Sequence, residues 1–259
     1  MTSLFHLSGK VAIVTGGNRS IGRTLALSLA DAGADVVVVA AHNMDLAYQV
    51  AEEIHGKGRD CIAVKADVSI KNEIQEMVSK TMEHFGKIDI LINNAAINVF
   101  TSAADFSLDD WNRVLSVDLT GTFLCAQAVG RIMITQRKGK IVNLASVGGM
   151  CGTYRNAVAY DASKAGVINL TRSLGVEWGK YNINVNAIAP GLVESDLTRT
   201  RLEDQSRRKY FLHRIPLARI GQPEDLVGVV IFLSSEASNW ITGQTIVIDG
   251  GQTLLDLTP

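Results

Sequence analysis

Short apolar runs recur along the chain, and most are followed by a longer stretch in which apolar residues return every three to four positions. Some runs, such as Val36-Val37-Val38-Val39, are apolar on consecutive positions. A strand facing water on one side would alternate, so unbroken runs mark strands covered on both faces. The pattern predicts strands at 10–15, 35–40, 61–65, 88–93, 140–145, 182–187 and 245–248, and long helices at 108–136 and 158–180. Ser107 is a candidate N-cap for the first of these helices, with Asp109 and Asp110 in its opening turn. Strands alternating with helices argue for a parallel sheet with helices on both faces, and right-handed crossovers reduce the options to a doubly wound sheet. No linker or repeat divides the chain, so the expectation is a single α/β domain over 1–259 with about seven strands. Residues 194–215 break the rhythm: they are charged and follow Pro190-Gly191, as a lid over a site would.

Composition narrows the picture. The 259 residues are 47% hydrophobic, enough for a substantial core, and the net charge of −1 provides no field for nucleic acid or a membrane surface. The longest apolar runs fall well short of the ~20 residues of a membrane span, and the N-terminus has no cleavable signal pattern. Cys61, Cys125 and Cys151 are odd in number and far apart, which predicts buried free thiols in a reducing compartment, the cytoplasm. The five histidines show no metal spacing, so no metal site is expected.

Three segments carry candidate chemistry. Thr15-Gly16-Gly17-Asn18-Arg19-Ser20-Ile21-Gly22 joins a predicted strand to a predicted helix. Glycines there let backbone approach a phosphate, and the helix N-terminus offers unsatisfied N–H groups and a favourable dipole. Taken alone, such a glycine pair is weak evidence, the alternative being an ordinary tight turn. Tyr160 and Lys164, in Y-D-A-S-K, are one helical turn apart on one face. A free phenol titrates near ~10 and is a poor base at neutral pH, whereas a lysine cation beside a phenol favours the phenolate and makes a general acid/base of the pair. Ser146 ends the run I-V-N-L-A-S, from which its hydroxyl can hold a substrate oxygen if that strand end opens on the same cleft.

Together these segments resemble the short-chain dehydrogenase/reductase family, with its T-G-x-x-x-G-x-G loop and Y-x-x-x-K pair. N-N-A-A at 93–96, Asp67-Val68, Pro190-Gly191 with Ser195, and I-D-G-G at 248–251 are similar to further family segments in the same order. The resemblance covers nearly the whole chain. It implies a Rossmann-type fold and hydride transfer between a nicotinamide cofactor and an alcohol/ketone pair. It makes Tyr160 the acid/base, Lys164 the holder of the cofactor ribose, and Ser146 the group that polarises the substrate oxygen. It assigns cofactor contacts to Gly16, Asn18, Arg19, Ser20, Ile21 and Gly22, to Ala41, His42 and Asn43, to Asp67 and Val68, to Asn94 and Ala95, and to Pro190, Gly191, Val193 and Ser195.

Two residues depart from the family pattern. Asp118, in V-D-L-T-G, stands where the family has a catalytic asparagine. That residue acts through its main-chain carbonyl, so the relay is expected to survive; the alternatives are an added charge beside Lys164 or a weakened local helix distortion. Ser20 replaces the loop's middle glycine, which is tolerable at negative φ and costs about 1 kcal/mol or more at positive φ. Its hydroxyl can also donate to a cofactor phosphate.

The predicted second strand ends Val39-Ala40-Ala41-His42-Asn43, without the acidic residue that binds an NAD ribose; Asp45 falls in the next helix. Arg19 stands where NADP-binding family members often carry a basic residue. NADP(H) is therefore the expected cofactor, with NAD(H) possible. Asn98, Val147, Gly148, Thr153, Tyr154, Arg155, Leu192, Val193 and the lid segment 194–215 are candidate walls of the substrate site, with Arg155 or a lid arginine as a possible holder of an anionic group. The N-terminal L-F-H-L-S-G-K, the lid and R-I-P-L-A-R-I-G-Q-P-E-D-L at 214–226 are similar to gluconate and deoxygluconate dehydrogenases. The last segment is shared with 3-oxoacyl carrier-protein reductases. A sugar, polyol or hydroxy-acid substrate is expected, with 3-oxoacyl or xenobiotic ketone reduction as the alternative. A non-catalytic dinucleotide sensor and a nucleic-acid-binding scaffold are disfavoured by the intact Ser146, Tyr160 and Lys164 and by the balanced charge. The resemblance also implies a homotetramer, with the apolar tail at 253–259 reaching toward a neighbour.

Overall fold

The computed structural model describes residues 3–153 and 156–254. Strands β1 (Val11–Thr15), β2 (Asp35–Ala40), β3 (Cys61–Lys65), β4 (Ile90–Asn93), β5 (Gly139–Leu144), β6 (Ile183–Pro190) and β7 (Thr245–Ile248) form one sheet in the order β3-β2-β1-β4-β5-β6-β7. All pairings are parallel. Strand order reverses between β1 and β4, and the crevice outside the strand ends at that reversal is where doubly wound sheets bind ligands.

Helices α1 (Ser20–Asp31), α2 (Met44–Gly56) and α9 (Val227–Ser234) cover one face; α3 (Lys71–Phe85), α5 (Thr122–Gln136) and α6 (Val158–Trp178) cover the other. The unbroken valine run now has its reason. Val36 and Val38 point into the first layer with Leu25, Leu29 and Ile54, while Val37 and Val39 point into the second with Met77, Val129 and Met133. Burying each such side chain stabilises the fold by about 1.5–3 kcal/mol. Ser107 caps α4 (Leu108–Leu115) by accepting from the Asp110 amide at 3.0 Å.

The predicted helix over 108–136 is not uniform. Between α4 and α5 it widens into a π-helical stretch, Ser116–Gly121. Gly121 sits there because a Cβ would come within 2.9 Å of the Val68 carbonyl. Leu108–Gln136 is long and apolar enough to cross a membrane by length and composition, yet its buried residues Val114, Cys125, Ala126, Val129 and Met133 are core residues of this sheet protein. Strand β6 runs three residues past its predicted end, because pairing continues to Pro190 opposite Ile248.

Two of the three cysteines are buried as expected, and burial pushes the Cys61 and Cys125 thiols up to about 12. Cys151 is exposed instead, because the chain turns outward after Gly149. Residues 194–215 hold two short helices, α7 (Arg199–Glu203) and α8 (Gln205–Leu212), around a separate small core of Leu192, Leu202, Ile215 and Ile220.

Candidate active site

The glycine loop is bound to the sheet at the strand reversal. Thr15 Oγ1 accepts from the amides of Asn94 (3.0 Å) and Ala95 (3.1 Å), and Asn94 Nδ2 donates to the carbonyls of Thr15 (2.9 Å) and Gly16 (3.1 Å). Gly16 has φ +62°, a left-handed conformation that favours glycine. At Gly22 a Cβ would lie 2.0 Å from the Gly16 carbonyl oxygen and 2.6 Å from Asn94. Gly22 thus lets α1 close on the loop itself rather than on the sheet. Arg19 precedes α1 without a side-chain cap, which leaves first-turn N–H groups for an anion. Asn18 donates to the carbonyls of His42 (3.1 Å) and Asn43 (3.4 Å), holding the corner after β2 beside the loop. Ser20 adopts φ +50°, the costly case, at about 1–2 kcal/mol for a residue with a Cβ.

These elements border one cleft of about 840 Å³ along the C-terminal strand ends. Its walls include Gly16, Asn18, Arg19, Ser20, Ile21 and Gly22 from the loop; Ala41, His42 and Asn43 from the β2 end; and Asp67 and Val68 beyond β3. Asn94, Ala95 and Asn98 follow from β4, and Pro190, Gly191, Leu192, Val193 and Ser195 from the β6 side. The β2 end carries no acidic side chain, and Asp45 lies in the first turn of α2. Asp67 Oδ1 accepts from Ser69 N (2.8 Å) and Oγ (2.7 Å), which stiffens that corner. The close-packed glycine loop, the uncapped helix start and the cleft volume fit a dinucleotide.

Ser146, Tyr160 and Lys164 border the same cleft. Ser146 leaves β5 in extended conformation, and its hydroxyl accepts from the Gly148 amide at 3.1 Å. The turn after it packs tightly on α6: a Cβ at Gly149 would lie 2.5 Å from the Lys164 carbonyl carbon. A buried polar ladder fixes α6 from below. Asn93 Nδ2 donates to Asn143 Oδ1 (2.9 Å), and Asn143 Nδ2 donates to Thr171 Oγ1 (2.9 Å). Lys164, 3% exposed, donates to the Leu144 carbonyl (2.9 Å) and lies 5.3 Å from the Tyr160 ring centroid.

Asp118 lies behind this group, fully buried in the π-helical stretch. Its Oδ1 accepts from the Ile97 amide (2.9 Å), its Oδ2 stands 3.7 Å from Lys164 Nζ, and its main-chain carbonyl accepts from Thr122 Oγ1 (2.7 Å). Burial pushes its carboxyl up to about 6, against the pull of the Lys164 ammonium and the Ile97 amide. The helix distortion is present with aspartate in place.

Val147 and Gly148 do not border the cleft; the short turn after Ser146 carries them into the interior. Thr153 points to Asp161 at 2.5 Å. Tyr154 and Arg155 lie outside the described residues. Arg199, Arg207 and Arg214 are absent from the cleft wall: the first two pair with Asp196 (3.1 Å) and Asp204 (3.5 Å), and Arg214 stacks on Tyr210. Asp196 and Phe211 do line the cleft, from 194–215, the segment expected to cover a site; sequence reasoning missed Phe100 and Arg113, which also line it. They come from loops and helix flanks with no motif to mark them.

The family model described as Enoyl-(Acyl carrier protein) reductase matches residues 16–253. A 3-oxoacyl-[acyl-carrier-protein] reductase of Synechocystis sp. is 41% identical, over 96% of this chain and 98% of its own. A 2-dehydro-3-deoxy-D-gluconate 5-dehydrogenase of Dickeya dadantii is 41% identical, over 95% and 96%. A crystal structure of a gluconate 5-dehydrogenase from Burkholderia cenocepacia, in complex with NADP and tartrate, superposes with TM-score 0.94 at 36% identity, covering 98% of each chain. With the parallel seven-stranded sheet, the glycine loop and the Ser146–Tyr160–Lys164 cluster, these likenesses show that the chain belongs to the short-chain dehydrogenase/reductase family of oxidoreductases, which act on alcohol/ketone pairs.

Proposed function

We propose that this protein interconverts a secondary alcohol and a ketone with NADP(H), on a sugar-acid, polyol or hydroxy-acid substrate. The observation that carries the reading is Ser146, Tyr160 and Lys164 on the wall of the cleft that the glycine loop opens into. When bound, the coenzyme supplies or accepts the hydride. Tyr160 gives or takes the alcohol proton through its phenolic oxygen, and the Ser146 hydroxyl donates to the substrate oxygen. Lys164 places a positive charge beside the ring that carries negative charge in the transition state. Its bond to the Leu144 carbonyl fixes it in place. Asp118 acts on Lys164 from the buried side, as a charge, and its carbonyl keeps the helix geometry.

NADP(H) is favoured over NAD(H) by the acid-free β2 end and by Arg19, 60% exposed at the cleft mouth. Relatives crystallised with NADP support the same choice. A hydroxylated substrate is supported by Asn98, which borders the cleft and whose buried side-chain oxygen has no partner among the described residues, so that a substrate hydroxyl would satisfy it. The competing reading, 3-oxoacyl reduction, is supported by relatives of equal identity. A panel of gluconate-type sugar acids, polyols, 3-oxoacyl thioesters and simple ketones, run with both coenzymes, tests it. Turnover of acyl thioesters with none on sugar acids would overturn the substrate assignment.

The free thiols fit a reducing compartment such as the cytoplasm. A homotetramer is supported by the fully exposed Trp240 and by edge strand β7 with its half-exposed Val247. Sedimentation velocity at micromolar protein tests that, a monomer being the refuting result.

A further inference from the structure

Among the described residues, Asp196 is the one of 194–215 that both Ser20 and Arg19 of the glycine loop reach. Its amide donates to Ser20 Oγ at 3.3 Å, across 176 residues of sequence, and its Oδ2 lies 3.5 Å from Arg19 Nε. Its other oxygen, Oδ1, lies 3.1 Å from Arg199 on the lid itself. Asp196, Arg19 and Ser20 all border the cleft. Ser20 holds this contact from a left-handed conformation that glycine would adopt more easily, and glycine would have no hydroxyl to offer.

We propose that Asp196 competes with the coenzyme 2′-phosphate for Arg19, so that the lid is latched to the glycine loop until a 2′-phosphate takes the arginine. This rests on the reading of Arg19 as the 2′-phosphate holder. The Arg19–Asp196 pair is weak by construction, since its side chains are 60% and 31% exposed and exposed ion pairs hold little. A phosphate near its dianionic form offers the same guanidinium more charge and several acceptor oxygens, so it displaces a single carboxylate. Asp196 is not left unpaired by the exchange, because Arg199 already holds its second oxygen. The lid's separate core of Leu192, Leu202, Ile215 and Ile220 lets it shift as a unit when the latch opens. In the absence of a 2′-phosphate no such exchange occurs. Asp196 is thereby a specificity-determining residue: it sets how much of Arg19's affinity reaches NADP(H), and it leaves NAD(H) untouched.

The test is equilibrium binding of NADPH and NADH to wild type, D196N, R19A and the R19A/D196N double variant, by titration calorimetry. D196N keeps the amide that bonds Ser20 and removes only the charge. It is expected to tighten NADPH about two- to fivefold and to change NADH by less than about 1.5-fold, the latter also showing that the variant is folded. In the R19A background D196N is expected to have no NADPH-selective effect. Weaker NADPH binding in D196N, equal shifts for both coenzymes, or a selective effect that persists without Arg19 each overturn the latch. If R19A instead weakens both coenzymes equally, the 2′-phosphate reading of Arg19 falls and the latch with it. If R19A is NADPH-selective and D196N leaves the ratio unchanged, only the latch falls.

Discussion

Asp118 allows a prediction whose size follows from its surroundings. The carboxyl is fully buried, and burial lifts it from the ordinary 3.8 to about 6 although Lys164 stands 3.7 Å away. That rise corresponds to about 3 kcal/mol between the protonated and ionised forms. The folded-state value is raised, so the folded protein holds the proton more tightly than the unfolded chain between pH 3.8 and 6. The stabilising contribution is full below 3.8 and is lost as pH rises through 6. About half has gone by pH 5, so the interval from pH 5 to 7.5 carries about 1.4 kcal/mol.

Asp118→Asn keeps an oxygen for the Ile97 amide and cannot ionise. It should behave at every pH as the protonated aspartic acid does. Equilibrium urea unfolding of both proteins in half-unit pH steps reads the difference directly. The variant should gain about 1.4 kcal/mol on the wild type between pH 5 and 7.5. A difference that stays flat across this interval would refute the argument, since it would mean the carboxyl titrates in the fold as it does unfolded. The pH profile of kcat/KM should lose a component near pH 6. Activity near pH 7.5 should fall by less than about tenfold, because the main-chain carbonyl at 118 and its bond from Thr122 stay in place. A larger loss would make the carboxylate itself part of the proton relay.

Three further substitutions test the site. Tyr160→Phe should lower kcat by about 10²–10⁴ while coenzyme affinity stays within about threefold; retained turnover would remove Tyr160 as the acid/base. Arg19→Ala should raise the KM for NADP(H) about 10- to 100-fold, the loss of a charged hydrogen bond or two, and that for NAD(H) little; equal effects would refute NADP selection through this residue. Gly22→Ala drives a Cβ to 2.0 Å from the Gly16 carbonyl, which backbone cannot yield cheaply. It should lower stability by about 1–3 kcal/mol, read by thermal unfolding, and weaken both coenzymes; an unperturbed variant would mean the loop is looser than described.

The strands were legible because the sheet is covered on both faces, which forces apolar residues onto consecutive positions such as Val36 to Val39. Tyr160 and Lys164 were legible because helical spacing alone puts them together. The π-helical stretch was not: S-V-D-L-T-G at 116–121 has ordinary helical periodicity, and its distortion comes from contacts with Ile97 and Val68 far away in sequence. Asn18 was read as a cofactor contact, and it does border the cleft, yet its amide is engaged by the corner after β2. Asp196 falls in the segment the pattern singled out, but its link to the glycine loop could not be read, since Ser20 lies 176 residues upstream.

The two departures from the family pattern, Ser20 and Asp118, share a physical character. Each is locally unfavourable, one through a left-handed φ and the other through a buried carboxyl. Each is met by a partner from a distant segment, the Asp196 amide in one case and the Ile97 amide with Lys164 in the other. Strain that the surroundings hold in place is expected where a site needs it. The partner sets do not overlap, so the double variant Ser20→Gly with Asp118→Asn should change stability by the sum of the single effects, within about 0.5 kcal/mol. Ser20→Gly itself should be nearly neutral for folding, because relief of about 1–2 kcal/mol is offset by glycine's unfolded-state freedom and the lost hydroxyl contact. Its effect should fall on the coenzyme, with weaker NADP(H) binding. Tighter binding would mean that the hydroxyl serves the Asp196 contact and not a coenzyme phosphate, and non-additive stability would mean that the two sites are coupled through the cleft.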